Sequence, residues 1–231
     1  MTRLSVIGSA TERIAPDRGT VRLAVGFSGA SREEIVARAN ELHAAVSAEL
    51  TALAAPAESP LEAWSSGQLR FWSSRPWSEQ GEVKPLLHES RAEFAATFTD
   101  FPALSAWVAG VTQREGTTLD GIDWTLAEDT AAAVRERAQV AAVRDAAQKA
   151  AVYAAALGLG TVTVRELADP GLLSQEGGPT ARGGFAGADS LRMAAMPASG
   201  GAEFQPGDLS VEATVHVRYD AADASGARPL P

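Results

Sequence analysis

Three histidines, two close carboxylate pairs, one glycine-rich turn and a run of aromatics are the residues of this 231-residue chain whose types could do chemistry. His216 lies in Val211-Glu-Ala-Thr-Val-His-Val-Arg-Tyr219, near Glu212 and Arg218. Period-two alternation puts those three on one strand face, the solvent side, with Val211, Ala213, Val215, Val217 and Tyr219 on the other. A general base needs a nucleophile within hydrogen-bond reach, and no motif here supplies one, so His216 reads as an exposed strand histidine. His43 sits near Glu41 on a helix, where a solvated face explains it equally well. His88 follows a hairpin and has no neighbour at metal-ligand spacing. The chain has no cysteine, which excludes disulfides, thiolate metal sites and cysteine nucleophiles. No catalytic, metal-ligating or cofactor-binding residue is therefore assigned, and no cofactor is expected.

The carboxylate pairs have structural explanations of their own. Glu128 and Asp129 open a helix, where negative charge suits the dipole. Asp120 and Asp123 flank Gly121 and are expected to shape a turn. Leu157-Gly-Leu-Gly-Thr161 looks like a phosphate loop, but it lies at the C-terminal end of a helix, where the dipole repels anions. Arg182-Gly-Gly resembles an RNA-binding repeat, but one copy in an acidic chain is a weak signal. The aromatic set Trp64, Phe71, Trp72 and Trp77 is the remaining candidate. Trp64 and Trp72 share strand parity and Phe71 has the other, so the strand is either covered on both faces or exposes one. Core packing and a protein–protein surface, where tryptophan is enriched, both stay open. These four are the candidate partner-binding residues.

The formal charge of −9, with only two lysines, Lys84 and Lys149, argues against nucleic acid and basic membrane attachment, which need clustered Lys and Arg. No apolar run reaches the length of a membrane span. Met1-Thr-Arg-Leu-Ser-Val-Ile-Gly8 contains no apolar leader core, which leads to the expectation of a cytoplasmic protein without membrane insertion.

The elements that must position these residues are legible from their patterns. Leu4 to Gly8 and Val21 to Phe27 alternate as strands, with a turn at Ala15-Pro16-Asp17. Ser31 and Glu34 have capping-box spacing before a helix that buries Ile35, Ala39, Leu42, Val46 and Leu50, and Ala55 to Pro60 end it. An aromatic strand over residues 61–77 leads into a hairpin over residues 73–85, with Glu89 to Thr99 returning. Asp100 and Pro102 start a second helix carrying Leu104, Trp107, Val108 and Val111. A strand with Leu119, Ile122 and Trp124 follows. A long alanine-rich third helix runs from Asp129 to Leu157, capped at Asp129 or Thr130, with Val143, Ala146, Ala150, Ala154 and Leu157 on its buried face and Gly158 as its stop. Strands at Thr161 to Leu167 and Val211 to Tyr219 complete the pattern. The fold class is α+β, with mainly antiparallel sheet and a few helices packed on one face. The length suits one large domain or two intertwined halves; the expectation is a single domain over residues 1–220, with residues 169–206 a flexible loop within it and 221–231 a disordered tail.

Three segments together resemble the SIMPL domain, a bacterial family of largely unknown function. They are Leu4-Ser-Val-Ile-Gly8 with Pro16-Asp17, then Ala142-Val-Arg-Asp-Ala-Ala-Gln-Lys-Ala150 running into Leu157-Gly-Leu-Gly160 with Val162, Val164 and Glu166, and finally Pro206-Gly-Asp-Leu-Ser-Val-Glu-Ala-Thr-Val-His-Val-Arg-Tyr219. The likeness spans nearly the whole chain through the order and spacing of short motifs. It implies a protein linked to stress response or assembly, since members include oxidative-stress proteins, an envelope protein that assembles into a ring and an animal protein that associates with a signalling kinase. It brings no catalytic motif. Most bacterial relatives carry a leader, which this chain is expected to lack, and the aromatics between Trp64 and Trp77 are a second departure from the pattern. The expected function is non-enzymatic self-association or binding of a protein partner. The alternatives are a small-ligand binder or enzyme with a pocket between sheet and helices, and a ring-forming structural assembly.

Overall fold

A computed structural model describes residues 1–77, 83–173 and 206–223. The strands β1 (Thr2–Ile14), β2 (Arg18–Val25), β3 (Ser28–Gly29), β4 (Leu61–Ser66), β5 (Arg70–Ser74), β6 (Leu87–Phe98), β7 (Thr117–Thr125), β8 (Leu159–Ala168) and β9 (Leu209–Asp223) alternate with the helices α1 (Arg32–Ala54), α2 (Phe101–Val111) and α3 (Glu128–Ala156). The strand pairings run antiparallel throughout, as the α+β reading expects. The described residues gather into two compact units.

One unit holds β1, α3, β8 and β9, from residues 1–15, 128–173 and 208–223. Its sheet has the order β1-β9-β8. Leu4 and Val6 on β1 and Val215, Val217, Tyr219 and Ala221 on β9 form one apolar face. Ala142, Ala146, Ala150 and Ala154 of α3 close over it. Every fourth residue of the helix is thus a buried methyl, and the helix lies almost on the strand backbone. Gly8 shows how close: a Cβ built there would fall 2.0 Å from the Ala142 carbonyl oxygen and 2.7 Å from the Ala146 Cβ. The alternation on β9 stands as read, and the strand continues to Asp223.

The helix face differs from its expectation. Val143 and Leu157 were expected inside with Ala146, Ala150 and Ala154, yet both are exposed and Ala142 takes the inner position. A valine or leucine at the seam would hold α3 away from Gly8, so the smallest side chains are selected inward. The start of α3 also falls earlier. The helix begins at Glu128, which places Asp129 and Thr130 inside its first turn rather than at a cap. Gly158 ends it as expected, in the left-handed region at φ 65, with its N–H donating to Ala155.

Two side chains of α3 hold the outer edge of β1. The Ser9 N–H donates to Asp145 Oδ2 at 2.8 Å, and Lys149 Nζ donates to the Ile7 carbonyl at 3.0 Å. Lys149 and Asp145 pair with each other at 2.7 Å. Hydrogen bonding from Lys149, then from the Ser9 N–H, holds the Asp145 carboxyl below the usual aspartate range, against the smaller opposing effect of desolvation. A carboxylate depressed in the folded state contributes stability that is present above its unfolded pKa and lost as pH falls toward the folded one. Asp145→Asn is therefore expected to lower the urea midpoint at neutral pH, with the gap from the wild type closing as pH falls below about 4. A gap that stays constant down to pH 3 (roughly one unit below that range) would show that the carboxylate charge contributes nothing.

The second unit is built on β6. Strands β2 and β4 flank its C-terminal half, β3 and β5 pair with its N-terminal half, and β7 lies beyond β2. The core is Val21, Leu23 and Val25 on β2 with Ala92, Phe94, Ala96 and Phe98 on β6, covered by Leu42, Val46 and Leu50 of α1 and by Leu104, Trp107, Val108 and Val111 of α2. The caps follow the sequence. Ser31 accepts from the Glu34 N–H, and Asp100 accepts from the Ala103 N–H at 3.0 Å. Asp17 receives the Ala127 N–H at 2.6 Å while its own N–H donates to the Thr125 carbonyl, so the Pro16-Asp17 turn ties the start of β2 to the end of β7. Rather than shaping a turn, Asp120 is the extra residue of a bulge in β7 and Asp123 lies in register opposite Thr20, and each pairs with an arginine, Arg91 and Arg22 respectively.

Most of the expected hairpin tip (residues 78–82), of the 169–206 loop (174–205, including Arg182) and of the tail (224–231) lies outside the described residues.

Candidate functional site

Between Ser66 and Arg70 the chain uses four steps where β6, from Phe94 to Arg91, uses three. That extra residue breaks one aromatic strand into β4 and β5 and inverts side-chain parity across the break. Trp64 lies opposite Ala96 and Phe71 opposite Ser90, both buried positions of β6. Trp72 lies opposite Glu89, on the other face. The expected pairing of Trp64 with Trp72 is thus corrected: Trp64 and Phe71 share the inward face, and Trp72 turns outward. Uninterrupted parity counting could not show this, although Gly67, with its N–H on the Glu93 carbonyl, was a signal for such a break.

The four aromatics now separate. Trp64 is half-buried and packs on the core of its unit, and Phe71 is half-buried as well. Trp72 is 42% exposed and Trp77 79% exposed. Val83 and Leu86, on the return limb, are exposed too. Polar contacts hold the limb in shape without covering the rings. Trp72 Nε1 donates to Glu89 Oε2 at 2.5 Å, Ser74 Oγ donates to the same oxygen at 3.2 Å, and Arg75 reaches the Lys84 carbonyl at 3.3 Å. A tryptophan whose N–H is fixed while its ring stays in solvent loses little conformational freedom on binding, which favours a contact residue.

The histidines do not gather. His88 Nδ1 lies 2.7 Å from Ser73 Oγ, a contact between positions fifteen residues apart that sequence reasoning missed. Hydroxyl and imidazole are the first two parts of a nucleophile–base pair, but here they lie along a strand pair with Ser73 exposed and His88 half-buried. The triad logic also needs a group orienting the base, and among the described residues the Ser73 hydroxyl is the one hydrogen-bond partner of His88. His43 lies tilted against Phe94 with ring centroids 4.9 Å apart, and its Nε2 is buried with no hydrogen-bond partner among the described residues, so the half-buried ring packs on the core and does not stand on a solvated helix face. His216 is half-buried in β9, between Ile7 on β1 and Ala168 on β8.

Two hollows stand out among the described residues. One, of about 420 Å³, lies over Arg22, Ser65, Gly67, Glu93 and Asp120. Its charged groups are already matched, Arg22 with Asp123 and Arg91 with both Glu93 and Asp120. The other, of about 360 Å³, is lined by Ala151, Ala154, Ala155, Leu159 and Val162 and carries no titratable group. Among the described residues no three His, Asp or Glu side chains come together as a metal site would need. No described helix is long and apolar enough to cross a membrane.

With this geometry in place, the comparison with protein families is specific. Residues 4–219 match the family model described as SIMPL, a protein of unknown function (DUF541). No curated protein matches the chain.

Proposed function

The chain belongs to the SIMPL family, and we propose that it works without catalysis, by self-association or by binding a protein partner, in a stress-response setting. The observation that carries the reading is the limb around β5 and the approach to β6, where Trp72 on β5, Trp77 beyond its end, and Val83 and Leu86 ahead of β6 are exposed to solvent. Large exposed aromatics on a braced strand pair are the kind of anchor that dominates protein interfaces. The spread of the histidines and the matched charges of the larger hollow support the absence of catalysis.

Replacement of Trp72 and Trp77 together by serine tests this. Because both rings are exposed, the double variant is expected to keep the wild-type far-ultraviolet spectrum and urea midpoint. Affinity for the partner captured from the native host is expected to fall about 30-fold or more, the loss of one hot spot of roughly 2 kcal/mol. Equal capture by wild type and variant, from a folded variant, would overturn the role of the limb.

A further inference from the structure

The sheet β1-β9-β8 has two outer edges, and they differ. On β1, the Ser9 N–H and the Ile7 carbonyl are taken by Asp145 and Lys149 of α3. On β8, the only described strand partner is β9. Leu159 and Val162 pack against the cluster under α3, but farther along β8 no described residue covers the helix-facing side, where Val164 is 63% and Leu167 50% exposed. An exposed edge with apolar side chains is a template for another strand.

The residues of β8 select what that strand would be. Val164 pairs with Tyr219 and Glu166 with Arg218, so Arg165 is an extra residue in a bulge. Val164 and Leu167 then both lie on the face of Tyr219 and Val217, toward the helix. Arg165 reaches Asp220 and Glu166 reaches Arg218, so these two lie together on the other face. Thr163 and Ala168, opposite Asp220 and His216, share it. The order Thr163, Val164, Arg165, Glu166, Leu167, Ala168 is therefore symmetric in face about the point between Arg165 and Glu166. Turned round on itself, it sets valine against leucine and arginine against glutamate. A two-fold interface requires this self-complementarity, because each contact must occur twice.

We propose that the edge of β8 is occupied by β8 of a second copy, antiparallel, with Arg165 opposite Glu166 and Val164 opposite Leu167 across a two-fold axis. The pairing joins two three-stranded sheets into one of six strands, with the four apolar side chains meeting on the helix side. It rests on the reading that this chain acts by association and assigns a surface to its self-association, separate from the tryptophan limb.

Sedimentation velocity on the full chain tests it. The wild type is expected to sediment with twice the mass of one chain at micromolar concentration, and Val164→Lys as a single chain with an unchanged far-ultraviolet spectrum. The Trp72→Ser and Trp77→Ser double variant is expected to remain a dimer. Cross-linking gives the register, since the chain has no cysteine of its own. Val164→Cys mixed with Leu167→Cys should yield a disulfide-linked pair on mild oxidation. Either variant alone should not, because its own copies lie about three residue rises apart along the strand, too far for a disulfide. A monomeric wild type, a dimeric Val164→Lys, or no preference for the mixed cross-link overturns the proposal. A dimer lost in the tryptophan variant but kept in Val164→Lys also overturns it, while leaving the function proposed for the limb intact.

Discussion

Gly8→Ala is expected to destabilise the unit built on β1, α3, β8 and β9 by at least about 1–3 kcal/mol, the range for forcing extra carbon into a packed interior. The added methyl would stand 2.0 Å from a backbone oxygen and 2.8 Å from the Ala146 backbone nitrogen. Neither neighbour is a side chain that can swing aside, so helix or strand must move. The movement would draw Ser9 and Ile7, the neighbours of Gly8 on β1, away from Asp145 and Lys149. Gly110→Ala is the control, because nothing lies within 4 Å of the added carbon in α2. Urea denaturation of the two variants should show a lowered midpoint for the first and none for the second. An unchanged Gly8→Ala midpoint would mean that α3 does not sit on β1 as closely as described.

Phe98→Ala is expected to produce the largest loss in the other unit, about 3–5 kcal/mol. Phe98 is fully buried at the end of β6, paired with Gly19 on one side and Leu61 on the other, with its ring 5.6 Å from that of Trp107. Truncation leaves a cavity walled by β2, β4 and α2, which cannot all close on it. Set against a typical total stability of roughly 5–15 kcal/mol, this approaches unfolding. Trp72→Ser, at an exposed position of the same sheet, should stay within about 0.5 kcal/mol of wild type. Urea midpoints for the pair separate a ring that holds the core from one that faces solvent, and similar losses for both would contradict the placement of Trp72.

Much of the architecture was legible because it rests on local chemistry. Ser31 and Asp100 mark helix starts since a side-chain oxygen can satisfy an N–H three residues on, and both do so. Gly158 marks a stop because its left-handed backbone conformation suits a residue without a side chain. The alternation from Val211 to Tyr219 separates the faces of β9 because one side meets the alanines of α3. The candidate site was less legible. Its four aromatics were named from composition and spacing, but one extra residue between Ser66 and Arg70 decides which of them face solvent, and parity counting assumes an unbroken strand. The Ser73–His88 contact depends on strand register, which no local pattern records.

What the amino-acid sequence determined by itself is most of the succession of elements, the caps of α1 and α2, the α+β class and the family, all carried by neighbours along the chain. Only the tertiary structure decided which alanines of α3 lie inside, because a helix rich in methyl groups has no strong apolar stripe, and the approach of Gly8 selects Ala142 over Val143. It also decided that Trp72 turns outward and that the two outer edges of the three-stranded sheet differ. The physical reason is common to all three. Each depends on what another segment, distant in sequence, brings to the opposite side of a contact, and that partner cannot be read from the residues of either segment alone.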